Sequence, residues 1–362
     1  MTHAIPSEMR VLELSGYDED LSTAVRNLHV TTKATPRPGR GQVLVRIEAA
    51  PCNPSDITFL QGLYGVQKAL PAVPGWEGAG TVVASGGGLF ARWLEGRRVA
   101  CGGQTDSDGT WAEYYLASAK SCMPLRKGLS FAQGASLLVN PLTAWALIDR
   151  ARRGRHGGIV QTAAASQLGR IVVRLARDAG LPVINIVRRG EQADILASLG
   201  ADIVLNSATE GFQEKLREAC HRYKATIAFD PVAGELTGKI LNAMPQGATV
   251  IVYGALSYSP AGGIDGRELI FGRKRVEGFW LTDWIRRAGF LKVLRASVQI
   301  QGAVERGAFG IAGHRTLAME DVPEGIREYV ARMTAGKILI APQRRQAPST
   351  ATPTHDSALS SS

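Results

Sequence analysis

The sequence predicts an α/β protein in which a β-rich, barrel-like unit precedes a doubly wound parallel sheet. Three observations carry this expectation. Up to about residue 130, short apolar or alternating runs are separated by Gly and Pro. From Gly157 onward, strand-like and helix-like runs alternate, as they do in βαβ series. A turn of small residues joins the first of those strands to the first of those helices. The chain of 362 residues suits two units that each bury a core, and 45% hydrophobic with 20% charged residues is ordinary for a globular protein.

In the first unit, strands are expected at Arg10 to Leu14, Val43 to Ala49, Thr81 to Ala84, Arg98 to Cys101 and Trp111 to Leu116. Pro36 to Gly41, Pro71 to Gly75 and Gly86 to Gly88 supply the turns between them. Near Ser130 the texture changes. Phe131 to Leu138 reads as a short helix ending before Asn140-Pro141, and Leu142 to Arg153 as another. Gly158 to Ala163 is then a strand, and Gly169 to Ala179 a helix with an apolar stripe at positions 171, 172, 175 and 176. Pro182 to Val187 is a buried strand, followed by a helix from Gln192 to Leu199 closed by Gly200. Ile203 to Leu205, Ala225 to Asp230 and Ala248 to Tyr253 continue the strands. A helix over Gly289 to Gln301, a strand near Arg315 to Ala318, a helix over Pro323 to Thr334 and a strand over Gly336 to Ala341 finish the fold. The expected division is 1–130 together with 300–342 for the first unit and 131–299 for the second. A Pro/Ser/Thr-rich tail at 343–362 is expected to be disordered.

Several function classes receive no support. No apolar run approaches the roughly 18 residues that span a bilayer. Met1 to Arg10 carries neither an apolar export signal nor an Arg/Ser-rich targeting stretch, so a cytoplasmic location is expected. Cys52, Cys101, Cys122 and Cys220 are scattered, as are the six histidines, which argues against a disulfide framework and against a metal site. The net charge of +10 is spread over separate Arg groups with no nucleic-acid motif beside them. A small polyanionic ligand drawn in by the positive field explains it better than RNA or DNA, and most of these arginines are solvated surface.

The segment from Ile159 to Gly169 is strand, turn and helix, where a pyrophosphate would meet free N–H groups and the helix dipole. Ala163, Ala164, Ala165 and Ser166 let the backbone approach phosphates, Gln167 and Leu168 follow, and Gly169 allows close helix–strand packing. A full G-x-G-x-x-G is absent. The next strand ends in Arg188-Arg189, about 20 residues after the turn, where an NAD enzyme usually has an acidic residue. Two arginines there suit a 2′-phosphate, so the expected cofactor is NADPH.

Asn53-Pro-Ser-Asp56, Gln61-Gly-Leu-Tyr-Gly65, Pro71 to Gly78 and Asn140-Pro-Leu-Thr-Ala144 recur, in this order, in medium-chain dehydrogenase/reductases. Their combination resembles the 2-enoyl thioester reductases, as does Gly278-Phe-Trp-Leu-Thr-Asp-Trp284. The resemblance spans roughly Arg10 to Pro342. It implies a GroES-like catalytic domain, a Rossmann domain and a homodimer. It also implies reduction of the C2–C3 double bond of enoyl thioesters carried by CoA or acyl carrier protein. Zinc members of the superfamily place Cys at Asn53 and His at Trp76, so no catalytic zinc is expected.

By the same resemblance Tyr64 is catalytic, hydrogen-bonding the thioester carbonyl as negative charge develops there. Asn140, Thr143, Tyr253, Gly254, Ala255, Leu256, Phe279, Trp280, Leu281 and Lys337 would contact the cofactor. Asn53, Trp76, Trp280 and Trp284 would line the substrate pocket. Read from the residues alone, Asn140 is equally a helix N-cap, Lys337 a surface lysine, and the aromatics core. Gln167 replaces a usual Gly of the phosphate turn, and Trp76 replaces a small polar residue. The second expectation is an NADPH:quinone oxidoreductase or alkenone reductase of the same superfamily. A third is a non-catalytic NADPH- or RNA-binding protein.

Overall fold

The computed structural model describes residues 4–103, 105–310, 314–331 and 336–344. The chain is α/β, as expected, and its two main sheets differ in kind. Six strands form an all-parallel sheet in the spatial order Ile203–Asn206, Val183–Val187, Gly158–Gln161, Ala225–Asp230, Thr249–Val252, Arg275–Gly278. Numbered along the chain this is 3-2-1-4-5-6, the doubly wound order that opens a crevice where the strand order reverses. Val183–Val187 is buried at every position, as a strand covered on both faces must be. Helix Gln167–Asp178 presents the predicted apolar stripe, with Ile171, Val172 and Ala176 buried and Leu175 partly buried against them.

The other sheet has seven strands and is built on the long strand Gln42–Pro51, which pairs with Glu77–Ser85 and with Tyr114–Ser118. Its far edge is made by the end of the chain, where Lys337–Ile340 pairs antiparallel with Gln42–Pro51 and His314–Leu317 pairs parallel with Lys337–Ile340. A separate hairpin joins Glu8–Leu14 to Leu28–Ala34. The core inside this unit includes Trp111, Phe59, Leu12 and Leu14, all fully buried.

Several expectations are corrected. Helix Leu142 to Arg153 in fact begins at Val139, so Asn140 lies inside its first turn and is not its N-cap; Leu138 holds that position. Pro141 is tolerated because a first-turn residue has no intrahelical acceptor for an N–H. The cap comes from outside the helix. Glu77 accepts from the backbone N–H groups of Leu138 (3.0 Å) and Val139 (2.8 Å), an anion placed at the positive end of the helix dipole. The preceding helix is shorter than predicted, Phe131–Ala135, held by a Ser130/Gln133 capping box. The strand expected from Trp111 starts at Tyr114. Helices Pro54–Leu60, Phe212–Arg222, Glu235–Ala243 and Leu281–Ala288, and strands Leu28–Ala34 and Arg275–Gly278, were not predicted. Residues 345–362 of the expected tail and 332–334 of the expected last helix lie outside the described residues.

Candidate active site

A cleft of about 1220 Å³ opens between the two units, lined by the turn after Gly158–Gln161, the start of helix Val139–Arg153, the segment Tyr253 to Leu256, the aromatic segment Phe279 to Leu281, and Asn53, Tyr64 and Trp76 from the first unit. The turn is shaped for close approach. Ala163 sits at φ +47, a left-handed conformation that costs an L-residue about 1 kcal/mol, and it lines the cleft. Ser166 caps helix Gln167–Asp178 by accepting from the Gly169 N–H at 3.1 Å. A Cβ on Gly169 would come within 2.3 Å of the Ala164 carbonyl oxygen, so only glycine lets the helix lie this close to the turn. Beneath the turn, Gln161 Nε2 donates to Asn185 Oδ1 at 2.6 Å and ties the first two strands together. The N–H groups of Gln167 and Leu168, in the first turn, have no intrahelical acceptor and suit an anion. Ala165 lines the same wall.

Gln167 has a partner across the cleft, for Asn140 Nδ2 donates to its Oε1 at 3.2 Å. The carboxamide of Gln167 therefore turns its N–H₂ group away from Asn140, as a donor. Thr143, one helical turn beyond Asn140, also lines the cleft. At the end of Val183–Val187, Arg188 and Arg189 are exposed on the cleft wall; Arg189 is paired with Glu191 at 2.8 Å, and the Gln192 side chain accepts from both backbone N–H groups. Arg170, Arg174 and Arg177 face the same wall, and sequence reading missed them. Their signal was the i, i+4, i+7 spacing on the helix that follows the turn.

The catalytic candidate is held from the other unit. Trp280 Nε1 donates to the Tyr64 hydroxyl oxygen at 3.1 Å, and the Tyr64 ring lies tilted on Trp76 with centroids 4.9 Å apart. Burial raises the Tyr64 pKa, only partly offset by the Trp280 bond, so the phenol stays protonated at neutral pH. Because Trp280 occupies an acceptor position on the oxygen, the phenolic proton is available to a group in the cleft. Trp76 is fixed by Phe59 at its edge (5.3 Å) and by its N–H bond to the Ser55 carbonyl.

Below lies a buried polar cluster. Asn53 Nδ2 donates to Glu77 Oε1 at 3.0 Å, and Lys337 Nζ stands 3.6 Å from the same oxygen and 3.1 Å from Ser136 Oγ. Lys337 is buried, not the surface lysine read from sequence. Its apolar strand carries it into the sheet, and Glu77 supplies the charge that makes burial tolerable. Asp56 accepts from the backbone N–H groups of Asn53 and Trp76, and burial pushes its pKa up to about 7. The N-x-x-D spacing from Asn53 to Asp56 is a capping signal that the sequence carried. One further expectation fails, since Trp284 does not line the cleft. Its ring packs edge-on against Trp145 at 6.0 Å because helix Leu281–Ala288 turns that face toward helix Val139–Arg153.

An alcohol dehydrogenase GroES-like domain model matches residues 39–127, and a zinc-binding dehydrogenase model matches residues 168–296. The donors at Asn53 and Trp76 do not suit the zinc of that second description. An indole is no ligand, the Asn53 amide is engaged with Glu77, and no group of three or more His, Cys, Asp or Glu able to hold a metal occurs among the described residues. The chain is 32% identical over 278 residues to the mitochondrial enoyl-[acyl-carrier-protein] reductase of Xenopus tropicalis, covering 72% of this chain and 73% of that protein. It is 30% identical over 285 residues to the one from Arabidopsis thaliana, covering 77% and 73%. Among solved structures, a putative NADPH:quinone reductase from Mesorhizobium loti superposes with TM-score 0.86 at 35% identity, covering 94% of this chain and all of that one (100%). A complex of Etr1p with NADP and crotonyl-CoA has the same fold, at TM-score 0.76 and 22% identity, covering 92% of this chain and 99% of that one.

Proposed function

The chain belongs to the zinc-independent medium-chain dehydrogenase/reductases and is an oxidoreductase, and within that family we propose that it reduces the C2–C3 double bond of 2-enoyl thioesters with NADPH. The observation that carries the proposal is the Trp280–Tyr64 hydrogen bond, which fixes a protonated phenol at the cleft and leaves its O–H for a ligand oxygen. The relatives named as enoyl-[acyl-carrier-protein] reductases support the same reading.

When bound, the nicotinamide dinucleotide supplies a hydride to the β-carbon of the conjugated thioester. The residues do the rest. Gln167, Leu168 and the small residues Ala165 and Ser166 would hold the diphosphate on the helix N-terminus. Arg188 and Arg189 would pair with the 2′-phosphate. Asn140, Thr143 and the Tyr253 to Leu256 segment would flank the nicotinamide, with Phe279, Trp280 and Leu281 across from them. Tyr64 donates to the thioester carbonyl oxygen as it gains negative charge, a stabilisation that typically supplies about 10²–10³ in rate, and the α-carbon of the resulting enolate takes its proton from water entering the cleft. Trp280 and Trp76 hold the phenol in place while it does so. Lys337, engaged with Glu77 and Ser136, positions the cleft floor.

A cytoplasmic homodimer is part of the proposal. The strand Arg275–Gly278 is one edge of its sheet, and Ile270 and Phe271, a few residues before it in the chain, stand exposed, features that suit a second copy. No helix among the described residues is long and apolar enough to cross a membrane.

The 35% identity to a putative NADPH:quinone reductase favours quinone reduction as a second reading. Following NADPH absorbance with crotonyl-CoA and with a simple quinone separates the two. Turnover of the thioester is expected; turnover of quinone alone would replace the proposed acceptor.

A further inference from the structure

Resting on the proposed role of Tyr64, we propose that Lys68 is a positioning residue: its ammonium lies over the indole of Trp76 and fixes the ring against which the phenol stands. Tyr64 and Lys68 belong to one loop, and both reach that ring. Tyr64 lies tilted on it with centroids 4.9 Å apart, and Lys68 Nζ stands over it, 4.9 Å from the centroid.

A second aromatic completes the surroundings of the lysine. Nζ is also 5.6 Å from the centroid of Phe59, whose ring meets Trp76 edge-on at 5.3 Å. Lys68 is buried, and its Nζ has no hydrogen-bond partner among the described residues. The carboxylates that face it are Asp108, Asp56 and Asp106. Asp108 is paired with Lys33 at 2.8 Å, and Asp56 accepts from the backbone N–H groups of Asn53 and Trp76. At close range the charge is therefore met by two ring faces, a contact that strengthens where water is excluded.

The backbone on either side is pinned. Tyr17 Oη accepts from the Lys68 N–H at 2.8 Å and donates to the Lys68 carbonyl at 2.9 Å, while the Tyr17 ring packs edge-on against Phe59 at 5.4 Å. Nearer the start of the loop, the Tyr64 N–H donates to the Thr58 carbonyl at 3.1 Å. The Trp76 indole has one polar anchor, its N–H bond to the Ser55 carbonyl at 3.3 Å, about which the ring can still tilt. The ammonium over its face opposes that tilt. Burial pushes the Lys68 pKa down to about 8, partly offset by the three carboxylates, so the charge is present below that pH and lost above it. Burial moves Tyr64 the other way, above its ordinary 10, so the phenol itself does not change in this window.

The test compares wild type with Lys68→Met, which keeps most of the length and apolar bulk and removes the charge, on either side of pH 8. The first readout needs no turnover. The indole N–H resonance of Trp76, identified by its disappearance in Trp76→Phe, is expected to shift with a midpoint near pH 8 in wild type and to show no such step in Lys68→Met. A step that survives in Lys68→Met belongs to Asp56 or another group and overturns the inference. The second readout is kcat for crotonyl-CoA with NADPH. In Lys68→Met it is expected to fall about tenfold at neutral pH, the scale of a desolvated cation–π contact. The KM for NADPH should hold, because Lys68 does not line the cleft. Wild-type kcat is expected to decline through pH 8 and that of Lys68→Met is not. Lys68→Arg, charged throughout, should restore kcat and keep it level there. Removing a buried charge without a hydrogen bond is expected to leave the melting temperature equal or higher, which separates lost positioning from lost folding. Undiminished kcat in Lys68→Met overturns the positioning role. A resonance step that Lys68→Met abolishes upholds the Lys68–Trp76 contact even if wild type reduces no thioester, in which case only the proposed reaction fails.

Discussion

Tyr64 and Trp280 are 216 residues apart in sequence and meet in the cleft through one hydrogen bond, each contributed by a different unit. Replacing Trp280 by Phe removes the donor and frees the phenol to rotate. A fall in kcat larger than any loss of NADPH affinity is the expected result, read by steady-state kinetics and cofactor titration; unchanged kcat would mean the bond does not position Tyr64. Arg188 invites a separate test. Arg188→Ala is expected to raise the KM for NADPH about tenfold or more while leaving NADH unaffected, as loss of a charged hydrogen bond would. Equal effects on both cofactors would remove the 2′-phosphate from the account. At this scale the sequence was legible in bringing Tyr64 and Asn140, each inside a motif, to the cleft wall. It was not legible for Lys337, whose burial depends on Glu77 arriving from a strand far away in the chain, nor for Trp284, whose orientation is set by packing between two helices.

At the scale of elements, the strand–turn–helix from Gly158 to Asp178 is the part the sequence described best. Its periodicity and small residues are local signals that tertiary packing did not override. The start of helix Val139–Arg153 was misplaced because its cap is a carboxylate from another strand, and Pro141 looks like a boundary although the first turn tolerates it. Gly169 gives the element its test. Gly169→Ala puts a methyl group against the Ala164 carbonyl, so the helix must move off the turn. NADPH affinity is expected to fall by at least about tenfold with a lowered melting temperature, since overpacking here costs roughly 1–3 kcal/mol. Wild-type affinity in that variant would show that close approach is not required for binding.

For the whole molecule, two sheets of opposite kind enclose one cleft, and a buried polar cluster lies at its floor. The division into a β-rich and a βαβ half was legible because punctuation and period change near Ser130. The cluster was not, because Asp56, Glu77 and Lys337 come from three separate segments. Asp56 links that floor to the pH dependence of stability. Its pKa is raised from 3.8 to about 7 in the folded chain, so between those values the folded state binds more protons than the unfolded state. Asp56 therefore favours folding most at the acid end of this window, and the contribution is lost as pH rises toward 7. Melting temperatures of wild type and Asp56→Asn across that range are expected to show a flatter profile in the variant; parallel profiles would place the titration elsewhere.

The most direct measurement of the central claim is the kcat for crotonyl-CoA with NADPH in wild type and in Tyr64→Phe, a change that removes one oxygen and keeps the ring on Trp76. A loss of about 10²–10³ in kcat with the NADPH affinity unchanged is expected if the phenol stabilises the developing charge. Undiminished reduction of the thioester by Tyr64→Phe would contradict that role for Tyr64.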